Sequence, residues 1–210
     1  MRKHVTFRAC DVDAIIGGAK TQFREVMRPQ PAVNDRGHLV YKWQYVHSED
    51  DSWVSRLCPY KIGSELWVRE SWRILRADPY EPLCTELWDD PIPDSFPRGW
   101  GIEYKARSSH QEDPWLHPFK MPQWASRLTL TVTDVMAEPL QDIYENDARR
   151  EGCMRGYTYD TGAMTPWGTF VESTTYVDAF REYWDFRRPA NPWNENPWVW
   201  VISFNVTRLV

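Results

Sequence analysis

A chain of 210 residues is long enough to bury one good core and too short for two comfortable ones, so the sequence reads as a single domain over 1–210. Its formal net charge of -5 argues against a protein that coats long duplexes, because that mode needs a net basic surface; a pocket for one nucleotide or one base stays open. The 13 Trp are too many for a soluble surface to display, so many belong to the core and a few are left for a stacking face.

The four cysteines, Cys10, Cys58, Cys84 and Cys153, show no C-x-x-C spacing and no His at a finger offset, so no metal site is expected, and nothing points to an organic cofactor. The basic start Met-Arg-Lys-His-Val lacks an apolar signal region, and no apolar run approaches membrane-spanning length. The expectation is a cytoplasmic chain with reduced thiols and no membrane partner.

In chain order, Asp11 caps a short helix through Val12, Ala14, Ile15 and Ile16, which Gly17-Gly18 stops. Residues 19–24 read as an exposed linker, broken off by Pro29 and Pro31. Leu66 to Trp72 reads as a strand entered through a turn at Gly63-Ser64-Glu65. Residues 78–97 mix five prolines with six acidic residues and are expected to form an irregular acidic surface insertion. Residues 106–119 also read as loop, so the irregular stretch extends over about 78–120.

From Arg127 to Val135 apolar and hydroxyl residues alternate, the period of a half-buried strand. Asp142-Ile143-Tyr144-Glu145 reads as a capping box opening a helix over 143–151 that ends at Gly152. A Gly/Thr-rich loop follows over 157–170. Thr175 then caps a helix bearing Val177, Phe180, Tyr183 and Trp184, which Pro189 closes. Trp198 to Val206 is an apolar strand. Strands and helices without βαβ repetition predict an α+β fold, a small mixed sheet or barrel with packed helices.

Several of these residues carry chemistry. The stripe Leu140, Ile143, Tyr144, Ala148 continues to Glu151, which places a carboxylate at the end of a core-facing row. Such a group is partly desolvated, suited to acid–base work or to bonding an Arg at the helix end. Lys20, with Thr21 beside it and Arg24 close by, can hold an anion or a polar base edge, act as a base in a dry pocket, or stand in solvent. Arg69 and Glu70 are neighbours on a strand, so one of the two faces inward, as half of a salt bridge or as a pocket wall. Trp124 and Arg127 can stack a base or pack together. Cys58 has no His placed to activate it as a nucleophile.

These segments resemble a known family. Gly-Ala-Lys-Thr-Gln-Phe-Arg (18–24) is similar to the G-x-K-T-x-T-R element of ASCH-domain proteins, and residues 58–72 are similar to their G-D-x-L-W-V-R-E strand. Met-Pro-Gln-Trp-Ala-Ser-Arg (121–127), Leu-Gln-Asp-Ile (140–143), Ala-Arg-Arg-Glu-Gly (148–152) and Asn-Pro-Trp-Val-Trp-Val (196–201) resemble the longer ASCH proteins of phage and prophage genomes. The matches span most of the chain outside 78–120, and their order is more specific than any one of them.

The resemblance implies a PUA-like mixed β-barrel with flanking helices, a cleft near the Lys-Thr loop, and RNA, DNA or a modified nucleoside as ligand. One branch of the family hydrolyses the acetyl amide of N4-acetylcytidine with a Lys, a Thr and a Glu, and another is described as ribonucleases. By position the Lys matches Lys20 and the Glu matches Glu151, but the catalytic Thr position holds Phe23. Thr21 is the other motif threonine.

Three functions are therefore expected in competition. The first is a binding module in which Lys20, Arg24, Arg69 and neighbouring Glu70, Trp124 and Arg127 line a ligand site while Phe23 or Trp67 stacks. The second is a hydrolase using Lys20, Glu151 and Thr21. The third is an accessory protein that binds a host protein through 78–97.

Overall fold

The computed structural model describes residues 3–42, 44–46, 52–75, 101–108, 114–155, 163–164, 170–171 and 175–209. In chain order the elements are β1 (Lys3–Thr6), α1 (Ala9–Ile16), β2 (Gln22–Val26), β3 (Ala32–Val33), β4 (Leu39–Tyr41), β5 (Gln44–Tyr45), α2 (Ser52–Leu57), β6 (Glu65–Arg69), β7 (Trp72–Leu75), β8 (Gly101–Tyr104), β9 (Leu128–Pro139), α3 (Glu145–Arg150), β10 (Met154–Arg155), β11 (Ala163–Met164), β12 (Phe170–Val171), α4 (Tyr176–Arg187) and β13 (Trp198–Leu209). The fold is α+β. The acidic stretch 78–97 and most of the loop 157–170 lie outside the described residues.

The chain divides into two compact units, one of Met1–Ile16, Glu65–Leu130 and Val206–Val210, the other of Gly17–Ser64 and Thr131–Asn205. In the first unit β1 runs parallel to β6, with Val5 opposite Val68, and Val5, Leu66 and Val68 are buried. The strand expected over Leu66 to Trp72 is two strands, β6 and β7, and the interruption falls at Glu70, whose side chain is buried and bound by Arg127. β7 pairs antiparallel with β8, a strand inside the stretch expected to be irregular. Trp67, Trp72, Ile74, Met121 and Ala125 form the core of this region. The pairing explains β8: its Ile102 and Tyr104 pack against that core, a gain that local composition around 98–105 does not reveal.

In the second unit β2 pairs antiparallel with β13, with Val26 opposite Val199, Arg24 opposite Val201 and Phe23 opposite Ile202. The linker expected over 19–24 is therefore not exposed. Gln22, Phe23, Arg24 and Val26 are all buried, and the strand escapes a periodicity reading because its buried polar residues are satisfied by groups distant in sequence. Against it pack Leu140, Ile143, Ala148, Phe180, Tyr183 and Trp184 with Val199 and Val201.

α4 begins at Thr175 as its sequence predicts; the Thr175 hydroxyl accepts from the Asp178 N–H at 3.2 Å. α3 departs from expectation. Leu140–Asp142 is a 3-10 turn, the helix starts only at Glu145, and Tyr144, placed on the buried stripe by phase, is 76% exposed. The Glu145 carboxylate closes no capping box on α3. It accepts instead from the Tyr176 and Val177 N–H groups at 2.8 and 3.3 Å and so caps α4.

Among the described residues the strands do not close into the barrel expected: β1 in the first unit and β2 in the second each pair along one side only. No helix of the described residues is long and apolar enough to cross a membrane.

Candidate functional site

The chain leaves α1 through Gly17-Gly18, where Gly18 takes φ +75°, a value that glycine adopts without a Cβ clash. Two residues on, Lys20 forms an isolated antiparallel bridge with Glu151, and the Thr21 N–H donates to the Arg150 carbonyl at 2.8 Å. The Thr21 carbonyl accepts from the Phe204 N–H at 2.9 Å. Backbone pairing thus fixes the Lys-Thr segment against the end of α3 before any side chain is considered.

Side chains finish the arrangement. Lys20 Nζ donates to Glu151 Oε2 at 2.9 Å and to the Glu151 carbonyl at 2.8 Å. Arg24 Nη1 donates to Glu151 Oε1 and to Gln22 Oε1, both at 2.9 Å, and Nη2 donates to Glu138 Oε1 at 2.7 Å. Lys20, Arg24 and Glu151 are 1%, 4% and 2% exposed, so these charges are tolerated only because two cations meet two carboxylates. Rings cover the cations: Lys20 Nζ is 5.4 Å from the Tyr183 centroid and the Arg24 guanidinium 5.6 Å from that of Phe180. Arg24 Nε is buried without a hydrogen-bond partner.

Beside the network opens a cleft of about 680 Å³, lined by Gly18, Ala19, Thr21, Asn146, Arg149, Arg150, Cys153 and Tyr176. Lys20 and Glu151 do not line it, but their chain neighbours Thr21 and Arg150 do. Thr21, Arg149 and Arg150 are exposed. The Arg149 guanidinium lies 5.5 Å over the Tyr176 ring, and Arg150 pairs with Asp147 at 3.6 Å. Two accessible guanidinium groups, a hydroxyl and an aromatic ring suit a planar ligand that carries an anion.

The structure brings together Lys20, Thr21, Arg24 and Glu151. Phe23 is not available to a base: it is buried, its ring edge-on to Tyr60 at 5.4 Å and tilted against Phe204 at 6.0 Å. Trp67, Arg69, Glu70, Trp124 and Arg127 all belong to the first unit. There Arg127 forks onto Glu70, Nε to Oε1 and Nη2 to Oε2, each at 2.9 Å, so of the two openings for Glu70 the salt bridge is what forms. Burial pushes the Glu70 carboxyl up against the lowering by Arg127. Burial also pushes the Tyr104 hydroxyl up to about 12; its ring lies 4.2 Å beneath the Arg127 guanidinium. Trp124 packs edge-on against Trp72 at 6.4 Å, while the Arg127 guanidinium lies over Tyr104. Cys58 is buried, and among the described residues no three His, Cys, Asp or Glu side chains gather as metal ligands.

Sequence reasoning did not single out Gln22, Glu138, Asn146, Arg149 or Tyr176. The adjacent Arg149-Arg150 is the one visible signal; Glu138, near the end of β9 and reached by Arg24 from the unforeseen strand β2, has none. Comparison of the chain with protein-family models, with curated proteins and with solved structures gives no match.

Proposed function

We propose that this chain is an ASCH-type domain of the PUA-like fold that binds a nucleic acid or a modified nucleobase in the cleft beside Lys20 and Glu151. The observation that carries the reading is the Lys20–Glu151 bridge, formed by residues 131 positions apart and set directly behind Thr21 and Arg150. Lys20 and Glu151 are the residues that helical phase and the Gly-Ala-Lys-Thr and Ala-Arg-Arg-Glu-Gly segments mark in the sequence. Binding is favoured over turnover because Lys20 Nζ is engaged with two oxygens of Glu151 and neither residue lines the cleft.

The test is fluorescence anisotropy of short single-stranded RNA and DNA, with calorimetry of cytidine and acylated cytidines, on the full chain. Reversing the cleft charge with Arg149→Glu and Arg150→Glu is expected to weaken binding at least about tenfold, the loss of one or two charge-assisted contacts. Wild type that binds none of these ligands, or a double variant of unchanged affinity, overturns the reading.

A second reading, a hydrolase on a modified nucleoside, draws on one further observation: Thr21, next to the Lys–Glu pair, is exposed at the cleft. Water would attack the acyl carbon, with Glu151 taking its proton and passing it to the departing amine, so N4-acetylcytidine and water give cytidine and acetate; were the Thr21 hydroxyl to attack, cytidine would leave first and water would then hydrolyse the acetyl ester on Thr21. Mass spectrometry should then show release by wild type and none by Lys20→Ala or Glu151→Gln. Absence of release by wild type removes this reading for those substrates.

A further inference from the structure

β1 and β6 lie in parallel with His4 opposite Trp67 and Thr6 opposite Arg69. Strand alternation sets these four side chains on one face, while Val5, Leu66 and Val68 fill the other. The Arg69 guanidinium lies 4.8 Å from the Trp67 centroid, and its Nη1 is 3.3 Å from His4 Nε2. The His4 ring is 5.4 Å from the same indole. Trp67 is thus the floor on which two potentially cationic groups meet.

An arginine at such a position ordinarily brings a carboxylate with it. Glu70, the next residue, is held by Arg127, and among the described residues no carboxylate bonds Arg69. Arg69 Nε is buried with no hydrogen-bond partner. Burial, then Arg69, then Lys3 hold His4 below the usual imidazole range, as expected where positive charges gather.

We propose that His4, Thr6 and Arg69 form a binding site for a phosphate group, with Trp67 as its floor. Arg69 supplies the planar donor fork, Thr6 a hydroxyl on the same face, and His4 a ring nitrogen. The indole is covered by Arg69 and His4, so the site reads an oxyanion and not a base face. Binding is coupled to a proton. In the empty site the His4 nitrogen accepts from Arg69; with a dianion in place, protonated His4 donates to it and the two cations share its charge. Among the described residues the charged groups around His4 are Lys3 on β1 and Arg69 on β6. The site belongs to the first unit and does not rest on the reading of the cleft.

The test is nuclear magnetic resonance of the full chain, following the His4 ring and the Arg69 side chain. Sulfate is the first probe, a tetrahedral dianion that does not titrate near neutral pH, compared with chloride at equal ionic strength. A saturable response to sulfate alone is expected, with the His4 midpoint moving upward. Between the free and bound midpoints, affinity should fall about tenfold per pH unit, the signature of one proton taken up. Arg69→Gln should abolish saturation, and His4→Gln should keep weaker binding without the pH dependence. Equal, unsaturable shifts in chloride and sulfate overturn the site, and pH-independent sulfate affinity in wild type overturns the proton coupling. Tighter binding of a nucleoside 5′-monophosphate than of inorganic phosphate assigns the group to a nucleotide, and equal binding assigns it to free phosphate.

Discussion

Removing one carboxylate, Glu151, leaves Lys20 and Arg24 facing each other in a buried setting. Glu151→Ala is expected to cost about 3–5 kcal/mol, the range for breaking a buried pair from one side. Glu138, whose side chain is 21% exposed, is bonded among the described residues by Arg24, and Glu138→Ala should cost about 1–3 kcal/mol, less than Glu151→Ala because water can reach the vacated position, but more than a surface pair because the Arg24 donor stays buried. Urea unfolding of the two variants separates these values; equal costs would mean that the network is not organised around Glu151. Glu70 behaves differently. Burial raises its folded-state pKa above the ordinary 4.5 despite Arg127, so folding favours the protonated form. Its contribution to stability is full below about pH 4.5 and is lost as pH rises through the raised folded value. Unfolding at several pH values should therefore show wild type losing stability relative to Glu70→Gln as pH rises across that window.

The N-terminus of α4 shows how elements are tied together. Thr175 serves the Asp178 N–H from its own segment, and Glu145 serves Tyr176 and Val177 from α3. Thr175→Ala should lower stability by about 1 kcal/mol, with faster hydrogen exchange at Asp178 while the last turn of the helix is unchanged. The local cap was legible because Thr175 immediately precedes an amphipathic run. Glu145 reads in sequence as a local cap on α3 because a carboxylate at a capping-box offset looks the same whether it turns back or reaches across to another helix. β13 was equally legible, a dense apolar run, whereas its partner β2 was not, since Gln22 and Arg24 on that strand look solvent-facing until Glu151 and Glu138 are brought to them.

At the scale of the molecule, a chain with net charge -5 presents its accessible cleft cations as one pair, Arg149 and Arg150. If both neutralise phosphates of a single strand, the slope of log K against log salt should be about -1.4, at about -0.7 per phosphate. Anisotropy at several salt concentrations measures it, and a slope several times steeper would require a broad basic face in place of the cleft. The Trp-rich composition finds its use at this scale too: Trp67 and Trp72 are buried in the first unit, Trp53, Trp184 and Trp200 in the second.

What the sequence by itself determined was the α+β class, the capped helix α4 and the strand β13. Each rests on local periodicity, local caps or short motifs, which neighbouring residues encode. Tertiary structure alone decided that residues 22–26 form a buried strand, that Phe23 is core, that Glu70 belongs to Arg127, and that Arg149, Arg150 and Tyr176 line the cleft. For the strand and for Glu70 the reason is the same: a buried charge or an isolated short strand is stable only with its partner, and those partners are far along the chain, 57 residues for Glu70 and Arg127 and 127 for Arg24 and Glu151.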